Sequence, residues 1–250
     1  RYLREGPTPP PNGTSARVEL RIPPGLELYV GSGRSLALSP AGSVVAYIGI
    51  EGAVRSVFVR RIDDFETTRL RGTDTVSECC AFSPDGRTLS FVTTEGVLRK
   101  VSLSDGLVTP ITAGWEFNGH AWGADDSIVF VRSRKLWRVA ASGGEPTQIP
   151  MDESDSIERR IAWPTILPRD AAILFASSTD GDDWRIESVD PASGARHTVV
   201  ERGTIPMWAP SGHLVFYRDE ELLAAPFDAA TQRVTGATVR ILENLPSSSS

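Results

Sequence analysis

Cysteine is almost absent: the 250 residues contain two, and these are the neighbours Cys79 and Cys80. In a regular strand, adjacent side chains point to opposite faces. Neither a vicinal disulfide nor a metal site then has the geometry it needs, and the pair reads as two small buried hydrophobes. No run approaches the roughly 20 apolar residues that cross a bilayer, and the first residues do not resemble a signal peptide. An excess of positive charge is missing too. Lys and Arg number 26 against 32 acidic residues, for a net charge of −6 spread along the chain. A surface that tracks phosphates is excluded on that balance, and no nucleic-acid partner is expected. Histidine occurs only at 120, 197 and 213, with no His-Glu-x-x-His pattern, so a zinc site of that type is excluded.

What remains is globular in composition, 40% hydrophobic and 23% charged, and long enough to bury a large core. Arg1 to Glu5 is a charged flank, and the chain is expected to be a piece of something longer. Residues 1–16 contain Gly-Pro-Thr-Pro-Pro-Pro-Asn-Gly-Thr-Ser, which stiffens the backbone without offering anything to pack, and read as a linker. Residues 247–250 are four serines and read as a tail.

Between these ends one phrase recurs: a short apolar strand, a Pro-Asp-Gly type of turn, and a second apolar strand. Its clearest copy runs from Ala81 through Ser83-Pro84-Asp85-Gly86 to Val92. Others run from Ala37 through Pro40 to Tyr47 and from Met207 through Pro210 to Tyr217, and degraded copies run from Trp122 to Phe130 and from Ile166 to Phe175. Equivalent turn residues at 40, 84, 124, 168 and 210 give steps of 44, 40, 44 and 42. Proline presets φ at the first central position, and Asp and Gly tolerate the tight or left-handed positions after it, so each phrase is a hairpin. A third strand of alternating character and a short fourth follow each hairpin, as in Leu136-Trp137-Arg138-Val139 and His197-Thr198-Val199-Val200.

A strand-turn-strand repeat of this period predicts an all-β fold, a β-propeller of four-stranded antiparallel blades. Two residues before each turn residue stands Leu38, Phe82, Trp122, Ile166 or Trp208, always large and apolar. One blade cannot cover both its faces, so its neighbours must. The expected blades span residues 36–75, 77–114, 117–150, 160–203 and 204–245 within a propeller of residues 17–246. Residues 17–30 are expected to act as a closing strand on the last blade, giving five full blades plus a partial sixth. No segment reads convincingly as a helix.

The Ser-Pro-Asp-Gly-Arg-Thr-Leu-Ser-Phe hairpin and its relatives resemble the TolB-like, WD-repeat-like propellers of bacteria, over about Arg17 to Leu245. More narrowly, Arg21-Ile22-Pro23-Pro24-Gly25, Leu36 to Pro40, Ala140 to Thr147 and Ala224 to Asp228 resemble the propeller behind the membrane helix of bacterial eukaryotic-like serine/threonine kinases. That resemblance implies an extracytoplasmic domain, in the periplasm or at the cell surface, tethered in its parent protein. Any membrane contact would run only through an upstream helix. Prolyl-oligopeptidase relatives carry a similar propeller as an accessory to a separate catalytic domain, and a TolB-like periplasmic scaffold is the third possibility.

Catalytic patterns are wanting. Gly31-Ser32-Gly33 lacks the third glycine of a phosphate-covering loop. Pro168-Arg169-Asp170 has Phe175 where a kinase catalytic loop has Asn, and reads as a degraded blade turn. There is no Gly-x-Ser-x-Gly. Asp180-Gly181-Asp182-Asp183 lacks the terminal Glu of a calcium loop and reads as a solvated turn, as does Asp152 to Asp155; Asn12-Gly13-Thr14 is a short glycosylation sequon. No catalytic residue, cofactor or metal is expected. Propellers bind on the loops that enter their innermost strands. The residues at those positions, Arg34, Glu78, Asn118, His120 and Arg160, are the candidates for contact with a protein or small-molecule ligand at the channel mouth. His120, beside Trp122, reads first as a buried, hydrogen-bonded histidine and only second as a channel-mouth contact.

Overall fold

The computed structural model describes residues 19–29, 35–114, 116–152, 159–179, 181 and 183–245. The first blade holds β1 (Glu27–Leu28), β2 (Leu36–Leu38), β3 (Val44–Glu51), β4 (Val54–Arg61) and β5 (Thr67–Arg69). The second is β6 (Val76–Phe82), β7 (Thr88–Thr93), β8 (Val97–Ser102) and β9 (Val108–Ala113); the third is β10 (Phe117–Trp122), β11 (Ser127–Arg132), β12 (Lys135–Ala140) and β13 (Thr147–Gln148). The fourth is β14 (Arg160–Ile166), β15 (Ile173–Ser178), β16 (Trp184–Val189) and β17 (Arg196–Val200). The fifth holds β18 (Thr204–Ala209), β19 (His213–Arg218), β20 (Glu221–Asp228), β21 (Arg233–Val234) and β22 (Val239–Leu242). The chain is thus an all-β, five-bladed propeller of small antiparallel sheets. Pro168–Asp170, the segment resembling a catalytic loop, is a single 3-10 turn closing the first hairpin of blade four. No helix among the described residues is long and apolar enough to cross a membrane.

Burial along the strands follows from their radial position. In blades two to four the second strands are enclosed by neighbours on both faces and are apolar almost without interruption, as in Leu89 to Val92, Ile128 to Val131 and Ile173 to Ala176. Third strands alternate, with Leu98 and Val101 or Leu136 and Val139 buried and the basic residues between them partly exposed. The hairpin phrase carries its own cap. Ser83 donates from Oγ to Asp85 at 2.6 Å and accepts from the Thr88 N–H at 3.0 Å, and Ser39 Oγ accepts from Ser43 and Val44 in the same way. Each serine satisfies backbone donors that the turn would otherwise strand.

Successive blades bury apolar faces against each other. Val76, Phe82 and Leu89 meet Ala46, Ile48 and Val57 between blades one and two, while Leu214, Phe216 and Leu223 meet Leu174 and Ile186 between four and five. Polar ties about one repeat apart also join successive blades, two to three and four to five. Lys100 Nζ donates to the Ala141 carbonyl at 2.7 Å, Thr165 Oγ1 to the Pro206 carbonyl at 2.6 Å, and Ser188 Oγ to Gln232 Oε1 at 2.7 Å.

Two expectations are corrected. The segment expected to close the last blade instead lies on the first: β1 pairs with β3 through Glu27 opposite Ile50 and Leu28 opposite Gly49. The cause is the short inner strand β2, which reaches only Val45 to Tyr47 and leaves the rest of that edge of β3 open. Leu20, Ile22 and Leu26 then cover Tyr47 and Phe58 on the face of blade one that no blade covers. Gly49 makes room: a Cβ there would lie 2.6 Å from Leu26 Cδ1 and 2.8 Å from the Phe58 ring. Five sheets hold all the described strands, and no partial sixth is among them. Among the described residues no strand pair packs the fifth blade against the first as the others pack, and Leu38, buried in its counterparts' fashion nowhere, is 54% exposed against 8% for Phe82.

The cysteines are the second correction. Strand β6 is not regular there: its register with β7 slips between Cys79 and Ala81, so simple alternation fails. Cys80 is buried and disulfide-bonded rather than a free thiol.

Candidate binding site at the start of the inner strands

The inner strands of blades two to five are each broken by a bulge near the end of the ring where they begin. Register slips between Val76 and Glu78, Phe117 and His120, Ala162 and Thr165, and Thr204 and Met207. In the last three, one residue inside the bulge takes a left-handed backbone: Gly119 at φ 97°, Trp163 at 53° and Ile205 at 51°. Glycine adopts this freely, but for a tryptophan or a β-branched isoleucine it is strained, and such strain concentrates at binding and catalytic sites. A bulge also re-aims the side chains around it.

The sequence-derived candidates fall into three groups. Arg34 lies outside the described residues. His120 is 5% exposed, and its Nε2 is 2.9 Å from Ser90 Oγ, which ties blade three to blade two in the buried role that was its first reading. Glu78, Asn118 and Arg160 stand near the beginnings of the inner strands β6, β10 and β14.

Glu78 Oε2 accepts a hydrogen bond from the Gly119 N–H of the next blade at 3.1 Å. Burial pushes its carboxyl up to about 7, against which the Gly119 bond works only partly. Asn118, beside it, is exposed. Gly119 in turn approaches blade four so closely that a Cβ would sit 3.1 Å from the backbone of Trp163. Arg160 is exposed, and its guanidinium carbon lies 5.5 Å from the centre of the Trp184 ring. The rings of Trp163 and Trp184 are 5.0 Å apart and tilted by 50°. Glu78, Asn118–Gly119, Trp163, Trp184 and Arg160 therefore form one continuous line across blades two, three and four.

Neither tryptophan was among the sequence candidates. The available signal for Trp163 was Trp163-Pro164 standing where Ile205-Pro206 stands in the next repeat, a strand interrupted at the same place twice. Trp184 carried no signal, because its approach to Trp163 reaches across the intervening strand β15. Among the described residues no group of three metal-ligating side chains is present. Of the two acidic clusters, Asp152 and Asp183 are described, both exposed; Asp180, Asp182 and residues 153–155 lie outside the described residues, as does the sequon at 12–14. The line can hydrogen-bond, stack on a planar or apolar group and attract a negative charge.

No family model matches the chain, and neither does any curated protein. Solved structures do resemble it. TolB from Acinetobacter baumannii superposes with a TM-score of 0.64 at 15% identity, over 79% of this chain and 52% of that one. A TolB-type protein of Agrobacterium tumefaciens gives 0.59 at 20% identity, covering 72% of this chain and 71% of that one. An oligogalacturonate lyase in complex with manganese gives 0.58 at 14%, over 84% and 64%. The chain spans about half the length of the first of these. The likeness is one of fold, and it supports the TolB-like propeller resemblance.

Proposed function

We propose that this chain is a non-catalytic binding propeller that takes its ligand at the end of the ring where the inner strands begin. One observation carries the reading: bulged, strained inner strands bring Glu78, Asn118, Trp163, Trp184 and Arg160 into a single exposed-to-half-buried line. A stable scaffold needs no left-handed tryptophan there, nor an arginine without an ion-pair partner among the described residues, whereas a ligand surface does. The TolB-like fold is consistent with a scaffold or binding module. The test is a ligand screen read at the indole N–H resonances of the labelled chain, with Trp184→Ala as control. Ligands that move the Trp163 and Trp184 signals, and lose affinity in the variant, support the mouth as the site. Binders that perturb only outer strands overturn it, and hydrolysis of peptides or phosphorylation of substrates by the purified chain overturns the non-catalytic part.

In its parent protein we place the domain outside the cytoplasm, tethered behind the membrane helix of a serine/threonine kinase, on the strength of the Arg21 to Gly25 and Ala140 to Thr147 phrases. Reading the parent gene decides this. A kinase and an apolar helix upstream support it; a downstream Gly-x-Ser-x-Gly domain would make it a peptidase accessory, and a signal peptide alone a TolB-like scaffold.

A further inference from the structure

We propose that the row Arg160–Ser178–Trp184, with Trp163 beside it, is an anion-reading subsite, and that the mouth takes an acidic peptide. A carboxylate meets the Arg160 guanidinium while a neighbouring apolar or aromatic side chain of the peptide lies against the tryptophan pair. The inference rests on the mouth being the ligand site and adds what the ligand must carry.

The row is set by strand register. Arg160 pairs with Ser178, and Ser178 with Trp184, so the three stand directly opposite one another on adjacent antiparallel strands and share a face of blade four. Arg160 has no ion-pair partner among the described residues, although the chain carries more acidic than basic side chains and Asp183 is exposed next to Trp184. Some other surface arginines are paired, Arg61 with Asp63 and Arg202 with Asp219, each at 2.9 Å, so a partner is common but not universal on this surface. A guanidinium resting on an indole keeps its donor edge free, and that edge matches a carboxylate in two-point geometry. Ser178, in the middle of the row, is fully enclosed and its hydroxyl has no partner.

The tryptophans argue against a bare inorganic anion. Two indoles tilted at 50° make an apolar corner beside the charge, and Trp163 holds a strained backbone to form it. Asn118, exposed on the neighbouring bulge, has an amide that both donates and accepts, which suits a peptide group.

The experiment follows the indole N–H resonances of the full chain during titration with acetyl-Asp-Phe-amide, its neutral partner acetyl-Asn-Phe-amide, and glucuronate. The acidic dipeptide is expected to bind about tenfold more tightly than the neutral one, with the preference shrinking as salt is raised. Arg160→Gln should erase the preference and leave the weak apolar binding, and Trp184→Ala should remove both. Equal affinity for the two dipeptides, or a preference that survives Arg160→Gln, overturns the inference and leaves the mouth as a site of other specificity. Tighter binding of glucuronate than of the acidic dipeptide also overturns it, transferring the subsite to acidic sugars. Binding indifferent to both substitutions overturns the mouth reading as well. The salt dependence in the unaltered chain decides the charge term even where a variant folds poorly.

Discussion

Replacing Glu78 by Gln should stabilise this protein at alkaline pH and leave it nearly unchanged in acid. The glutamine keeps a carbonyl oxygen for the Gly119 N–H, so the tie between blades two and three survives while the charge goes. Burial raises the Glu78 carboxyl from 4.5 to about 7. Below about 4.5 the group is protonated in the folded and unfolded chain alike and contributes nothing. Between there and about 7 the folded protein holds a proton that the unfolded chain has released, so stability declines as pH rises. Above about 7 both states are ionised and the full cost of the enclosed charge is felt, about 3.5 kcal/mol at ~1.4 kcal/mol per tenfold. Urea denaturation of both proteins at pH 5 and pH 8 measures it. The unaltered chain should lose about 2.5 kcal/mol relative to Glu78→Gln between the two pH values, the rest of the cost being present already at pH 5, with the urea m-value unchanged. The carboxylates of Asp85, held low by the Ser83 hydroxyl, and Asp190, held low by the Ser193 N–H, are lost only further into acid. Stability that falls in parallel for both proteins across the window would refute the reasoning, since Glu78 would then be hydrated rather than enclosed.

Two further outcomes follow from the same ring. Gly119→Ala forces a side chain into a φ of 97° and within 3.1 Å of the Trp163 backbone, and should cost on the order of 2 kcal/mol in chemical denaturation while shifting the tryptophan emission; an unchanged midpoint would mean the bulge is loose. Ser83→Ala removes both bonds of the turn cap, and a loss of about 1–2 kcal/mol is expected, whereas Ser178→Ala, which removes an unpartnered hydroxyl, should be neutral or stabilising.

The repeat was written in the sequence because it is local. Ser-Pro-Asp-Gly sets a hairpin through bonds spanning five residues or fewer, and the unbroken apolar second strands declare that they are enclosed on both sides, so a ring of about five units could be derived from residues alone. What could not be derived depends on contacts between units. The register slip that puts Cys80 out of alternation, the return of Glu27–Leu28 onto β3 and the meeting of Trp163 with Trp184 are each decided by which edge or face another strand leaves open. Arg160 and Glu78 could be named as mouth residues from their place in the repeat. Only the packing of blades showed that Glu78 reaches across to Gly119, that His120 is turned inward to Ser90, and that an indole lies under the Arg160 guanidinium. Short-range turn chemistry and hydrophobic period belong to the chain itself, while strand register and side-chain neighbours across blades exist only once non-local surfaces have met.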